Sequence, residues 1–238
     1  MDAQKSLHSL IPAEFLEPNW RLYSFIFLVA FTIWLLLEFP VKPYKGIIDP
    51  FYSPTILVLP FVGLFRLTCY AYRKDYHRHV FKHPVSCALD SRGDSAKRTY
   101  SGETGFFRVE NLHRYFMYFS VLILPFFFYD FYVSITFGGG LIIRLASLIL
   151  LANALMVTIW VFSCHAVRHL TGGRIDCYGC KYAGKQRNSF FNFQSKLNAH
   201  HEALAWTSLI MFVFVDLYIR ALAAGIPLDV TFIHILHI

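Results

Sequence analysis

Eight side chains able to ligate a metal or carry protons stand at the ends of apolar runs or just beyond them: Cys69, Cys87, His113, Cys164, His165, His169, His200 and His201. His165 and His169 are four residues apart, so on one helix they share a face and can point at a common centre. Cys164 is turned about a quarter of a circle from His165 on the same helix. Thiolates and imidazoles are the ligands of zinc and of iron–sulfur centres. Each residue alone has a plainer account. Cys is a small hydrophobe at home in apolar interiors, and a His at a membrane boundary can simply hydrogen-bond its neighbours. A whole set carried by four segments favours ligation instead. Cys177 and Cys180 form the chain's C-x-x-C, in the Gly-rich stretch Thr171-Gly-Gly followed by Asp176-Cys-Tyr-Gly-Cys. With no second pair at finger spacing, it reads as a turn rather than a metal site.

The elements that must position these residues are apolar segments. Of 238 residues, 56% are hydrophobic and only 16% charged, which excludes an ordinary water-soluble domain and excludes disorder. The runs cover roughly 22–37, 54–72, 115–137, 141–162 and 203–224, about the length of one membrane crossing each, the second only when its apolar part to Leu67 is extended to Tyr72. The chain is therefore expected to be an all-α integral membrane protein, one transmembrane domain of about five helices. Pro60 and Pro125 fall inside two runs and predict kinks. No cleavable signal pattern precedes the first run, so that helix is expected to persist. There is no P-loop, dinucleotide or flavin fingerprint.

Orientation follows from charge. All of the 22 Lys and Arg except Lys42, Lys45, Arg144 and Arg220 fall before the first run, near the end of the second, or in the stretches 73–114 and 163–202. The positive-inside rule then places the N-terminus and both long loops in the cytoplasm. The net charge of +7 is a basic collar beside lipid headgroups or a docking surface for an acidic partner, and calls for no nucleic acid. On this topology all eight Cys and His lie on one side, and no His lies deep in any span. A ladder of two b-type hemes needs axial His at two depths, and only one depth is supplied. In a reducing cytoplasm, disulfides are not the expected use of these cysteines. A di-heme cytochrome b anchor and a nonredox metal-binding transporter or scaffold remain as alternatives.

Five stretches carry a resemblance: Phe65-Arg-Leu-Thr-Cys-Tyr-Ala-Tyr-Arg-Lys74, Tyr100-Ser-Gly-Glu-Thr104, Asn111-Leu-His-Arg-Tyr-Phe116, Ser163-Cys-His-Ala-Val-Arg-His-Leu-Thr-Gly-Gly173 and Ser195-Lys-Leu-Asn-Ala-His-His201. In order and spacing, from about Phe65 to Arg220, the chain resembles the membrane-anchor subunit of the heme-free, type F class of succinate dehydrogenase. The resemblance implies a multi-pass subunit of the cell inner (plasma) membrane, docked by a flavoprotein and an iron–sulfur protein on its cytoplasmic face. It also implies a membrane-embedded, Rieske-type [2Fe-2S] cluster that passes electrons to quinone. Two features depart from the family pattern: the loop Arg174 to Arg187 with its C-x-x-C, and His200 where a basic residue is expected.

A Rieske-type centre takes two thiolates on one iron and two imidazoles on the other. On the resemblance, the expected set is Cys69, Cys87, His113 and His165, with Cys164 and His169 as alternates. Ligands from separate helices can close around a cluster that adjacent turns of one helix would crowd. A quinone ring needs an apolar slot and hydrogen-bonding groups at its oxygens. His201, Lys196, Trp206, Tyr70 and Arg66, at the same boundary, are the expected quinone-binding residues. Asp130 and Asp216 are the carboxylates within the spans, both in outer halves, so no charge movement through this subunit is expected.

Overall fold

The computed structural model describes residues 23, 26–27, 29–31, 33–34, 37, 45, 59–69, 71–72, 109–173, 175 and 177–236. The chain forms two compact units, Met1–Phe39 with Leu67–Gly105, and Pro40–Arg66 with Phe106–Ile238. In the first unit the described positions from Tyr23 to Leu37 are helical, inside the first predicted run. There Phe31 meets Phe27 at 5.9 Å and Trp34 at 5.7 Å between ring centroids, the i−4 and i+3 neighbours of a helix face. Cys69 marks a bend, and its carbonyl accepts the Tyr72 N–H at 3.2 Å.

The second unit is built on helices α1 (Leu59–Thr68, of which 59–66 belong to this unit), α2 (Val109–Thr136), α3 (Leu145–Phe162), the single turn α4 (His165–Arg168), α5 (Gly184–Ala199) and α6 (His201–Ala223). Among the described residues three helices, within α2, α3 and α6, are long and apolar enough to cross a membrane. Their outward faces carry Leu122, Tyr129, Leu148, Leu155, Ile210 and Phe214, all exposed. That arrangement suits a lipid solvent, which does not push apolar groups inward. Small residues take the inward positions instead: Ala146, Ser147, Ala154, Ala205 and Ser208 are each at most 1% exposed, letting backbones approach closely. Pro125 lies inside α2, and Pro60 is the second described residue of α1.

Three expectations are corrected. The fourth run was expected to be helical from Leu141, but 140–144 is strand β1, paired antiparallel with β2 (Thr231–Leu236), and α3 begins at Leu145. Gly138 and Gly139, with φ of +98° and +82°, turn the chain there, and Ile142 and Ile143 are β-branched residues suited to a ladder. The third run starts earlier than expected, so His113 lies a full turn inside α2. The stretch 163–202, read as a loop, is largely helical, since α5 sits within it.

The chain after α6 returns to cap α3. Leu145 N–H donates to Val230 O at 2.8 Å, and Ala146 N–H donates to Asp229 Oδ1 at 3.1 Å. Arg144, at the N-cap position, makes no capping bond of its own, so Asp229 supplies the carboxylate that a helix start favours. Replacing Asp229 with Ala is expected to cost about 1 kcal/mol. Thermal unfolding in detergent checks this, and Asp229→Asn, which keeps the acceptor, should lose less.

Candidate functional site

The site forms where α3 breaks. Ser163 closes α3 with helical backbone angles, and Cys164 turns extended, at φ −64° and ψ 141°, to start α4. The Cys164 Sγ accepts the Ala166 N–H at 3.4 Å, acting as the cap that permits the second start. This fixes the thiol inward, with the residue fully buried. His113, from α2 and 4% exposed, brings its Nε2 to 3.1 Å from that sulfur. The His113 ring lies nearly parallel to two others, Phe65 at 4.6 Å and His165 at 6.4 Å, with interplanar angles of 13° and 7°. A buried imidazole from α2 and a buried thiol at the start of α4 thus meet, with the exposed ring of His165 stacked beside them.

A cation lies beside them. The Arg66 guanidinium carbon stands 3.8 Å from the centroid of the Trp160 ring, and Trp160 also packs on Phe65 at 5.0 Å. Arg66 donates to Ala205 O at 3.2 Å and to Ser208 Oγ at 3.1 Å, which ties α1 to the second turn of α6. Cation–π contact and neutral acceptors together keep this charge in place inside an apolar bundle. His201, the first residue of α6, meets Ser163 Oγ through Nδ1 at 2.7 Å.

Helix α5 braces the break from outside. Asn198 Nδ2 donates to Ser163 O at 2.9 Å, and Gln194 Nε2 donates to Cys164 O at 3.4 Å. The Ser163 carbonyl is left over where α3 stops and Asn198 satisfies it, while the Cys164 carbonyl, which also accepts the Arg168 N–H at 3.2 Å, gains a second donor in Gln194. Arg168 donates from Nε to Ser195 Oγ at 2.9 Å and lies over the Phe191 ring at 4.9 Å. Beyond α4 a π-turn, His169–Gly173, leads to a 3-10 turn, Tyr178–Cys180, whose Tyr178 hydroxyl donates to Gly172 O at 2.9 Å. Gly184 must lack a Cβ here, because one would collide with the Tyr178 backbone carbonyl.

Cys177 and Cys180, read from the sequence as a turn rather than a metal site, are joined in a disulfide, while Cys69 and Cys164 are not. The tight turn sets their Cα atoms 5.4 Å apart, within the reach of such a bond.

Of the expected ligands, the structure brings together His113 and His165, with Cys164, an alternate, in direct contact with His113. Cys69 is buried, in the first unit. His169 is half-buried in the π-turn. Cys87 lies outside the described residues, as does Tyr70. Of the expected quinone residues, Arg66 and His201 both reach this layer, Trp206 is half-buried on α6, and Lys196 is exposed on α5. Among the described residues no three His, Cys, Asp or Glu side chains converge to hold a single metal ion. A [2Fe-2S] centre of the Rieske type makes no such demand, since each iron takes only two protein ligands. The donor types, two imidazoles and a buried thiol, fit that group. Trp160, Ser163, Gln194 and Asn198 were not expected. Trp160 precedes Cys164 by four residues, a spacing that could have drawn attention to it.

Comparison with known proteins bears on this geometry. Residues 44–225 match the family described as actinobacterial succinate dehydrogenase subunit SdhC. Among solved structures the chain is similar to one described as "Mycobacterium smegmatis Sdh1 complex in the apo form", with 29% identity, 90% of each chain covered and a TM-score of 0.70. No curated protein matches significantly. The family match spans most of the chain and includes every residue of the layer around Cys164, so this protein belongs to the actinobacterial SdhC family and is a membrane-anchor subunit of succinate dehydrogenase, respiratory complex II.

Proposed function

We propose that this chain, seated in the plasma membrane with the Cys164 layer on the cytoplasmic side, receives electrons from a partner iron–sulfur subunit and delivers them to quinone. The partners it docks are the flavoprotein and iron–sulfur subunits of a succinate dehydrogenase, and lipid surrounds the outward faces of α2, α3 and α6. The observation that carries the reading is the buried contact of His113 Nε2 with Cys164 Sγ at 3.1 Å, beside the parallel His165 ring. His113 and His165 would hold one iron of a Rieske-type [2Fe-2S] cluster and Cys164 would supply a thiolate to the other; the resemblance assigns the remaining thiolate to Cys69 or Cys87. Such a group, when bound, supplies one-electron transfer at a potential above that of all-Cys clusters.

The chain's own residues do the rest. Phe65 and Trp160 keep water from the layer, while Gln194 and Asn198 hold the backbone that aims Cys164 and Ser163. Arg66 places a fixed positive charge where a reduced quinone would develop negative charge. His201 is the proposed quinone contact, with Trp206 as an apolar wall and Lys196 at the entrance. A visible spectrum with iron and acid-labile sulfide determination on the purified membrane subunit tests the reading. Iron and sulfide without a Soret band are expected. A Soret band would turn it toward a heme-bearing anchor, and absence of both would remove the cluster.

A further inference from the structure

The Cys177–Cys180 disulfide closes the turn that leads into α5. Both cysteines are exposed, while the free Cys69 and Cys164 are buried. A bond across only two intervening residues restrains little of the unfolded chain, so little stability is gained from it. It is also open to exchange, since a thiolate can attack a disulfide sulfur only where it has access. The stretch 163–202 joins α3 to α6 and lies on the same side as Cys164. On the orientation proposed above that side is the cytoplasm, where such disulfides as form are usually transient and serve catalysis or redox sensing.

Contacts link this turn to the site. Tyr178, between the two cysteines, donates to Gly172 O at 2.9 Å and packs its ring on Phe191 of α5 at 6.3 Å. Gly172 has no room for a Cβ, which would meet both Tyr178 Oη and Phe191. The start of α5 sits against the Tyr178 backbone, and Gly184 N–H donates to Lys181 O at 3.1 Å. Further along, α5 supplies Gln194 and Asn198 to the Cys164 and Ser163 carbonyls. Holding Tyr178 in place therefore seats α5, and α5 holds the helix break.

We propose that Cys177 and Cys180 form a redox-active pair, exchanging with a dithiol protein reductant, whose disulfide state sustains quinone reduction and whose dithiol state slows it. The inference rests on the orientation and quinone chemistry proposed above. A thiolate of the reductant attacks one sulfur of the pair, so the Cys177–Cys180 bond breaks and a mixed disulfide forms. The reductant's second thiol then attacks its own sulfur in that mixed disulfide. Two thiols remain on this chain and a disulfide on the reductant, which has given up two electrons and two protons. With the bond open, the turn loses its covalent closure around Tyr178, and the seat of α5 on Gly172 and Phe191 loosens. The exposed Lys181, Lys185 and Arg187 beside the turn suit a reductant with an acidic docking face.

The test uses the assembled complex, treated with thioredoxin, its reductase and NADPH, then trapped with N-ethylmaleimide and freed of reagents. Mass spectrometry of the peptides reads the labelling of Cys177 and Cys180, and the variant Cys177→Ser with Cys180→Ser is treated in parallel. Treatment of the parent should label both cysteines and lower succinate-driven quinone reduction about fivefold, the weight of one lost hydrogen bond. Iron content and reduction of an artificial acceptor should stay unchanged, while trypsin cleavage after Lys181 and Lys185 should rise by a similar factor. The double variant should run at the lower rate with or without treatment, and Tyr178→Phe should show that lower rate with its disulfide intact.

A pair that stays unlabelled in the treated parent is a static staple, and the proposal falls. Full labelling with an unchanged quinone rate removes the coupling to the site and overturns it as well. A loss of rate on treating the double variant would assign the effect to another cysteine. A Tyr178→Phe variant at the parent's rate would remove Tyr178 from the link. No quinone reduction in any state overturns the proposed function and the regulated activity with it, while labelling and cleavage still decide whether the pair is redox-active.

Discussion

Replacing Cys164 with Ser is expected to lower the iron and labile sulfide content of the assembled complex by one [2Fe-2S] unit and to bring succinate-driven quinone reduction to background. The substitution separates two roles of this side chain. As a cap, the sulfur accepts the Ala166 N–H, and a serine oxygen does this at least as well. As a ligand, a soft thiolate suits iron–sulfur chemistry in a way that a neutral hydroxyl does not. The fold of the α3–α4 break should therefore survive, with its carbonyls still held by Gln194 and Asn198. The complex should still reduce an artificial acceptor from succinate, because those electrons leave from the partner subunits. Metal analysis and acceptor-specific rates on one preparation decide the matter. Full iron content with undiminished quinone reduction would remove Cys164 from the ligand set and return it to being a buried cap.

Trp160→Ala should be the most destabilising single change in the second unit. The indole is fully buried and packs on Phe65 and under the Arg66 guanidinium. Truncating a buried Trp leaves a cavity and typically costs about 3–5 kcal/mol. Loss of the cation–π contact adds to this, because Arg66 would keep its bonds to Ala205 O and Ser208 Oγ but lose the ring that shields its charge. Thermal unfolding of the complex in detergent should show a fall well beyond that of Asp229→Ala. Trp160→Phe, which keeps a ring face for Arg66 and most of the volume, should recover more than half of the loss. A Trp160→Ala variant as stable as the parent would mean that the α1–α3 contact holds little of the fold. Quinone reduction should fall in the same variant, since Phe65 also braces the His113 ring.

A membrane protein's spans are the part most legible in its sequence, because hydrocarbon demands long apolar helices with every backbone group satisfied inside the segment. The run read as 203–224 is helix His201–Ala223, and the gathering of His113, Cys164, His165 and His201 at one end follows from where they stand relative to the runs. Type and spacing also singled out Arg66. What apolarity could not convey was the state of Leu141-Ile-Ile-Arg144, since a short apolar run suits a strand as well as a helix. Its pairing partner lies some ninety residues away, in the tail, and only the return of the chain after α6 makes the strand.

The contacts inside the site are tertiary decisions for the same reason. Nothing local tells that Cys164 meets His113, 51 residues distant, or that Ser163 meets His201 across 38. Gln194 and Asn198 were invisible as site residues because their role depends on two backbone carbonyls at a helix break on another segment. The sequence by itself determined that this is a helical membrane subunit with its chemistry at one boundary. That the Cys164 thiol faces the His113 imidazole, and that Ser163 meets His201, were decided by the packing of α2, α3, α5 and α6, because each contact depends on groups that only the folded backbone brings within hydrogen-bond distance.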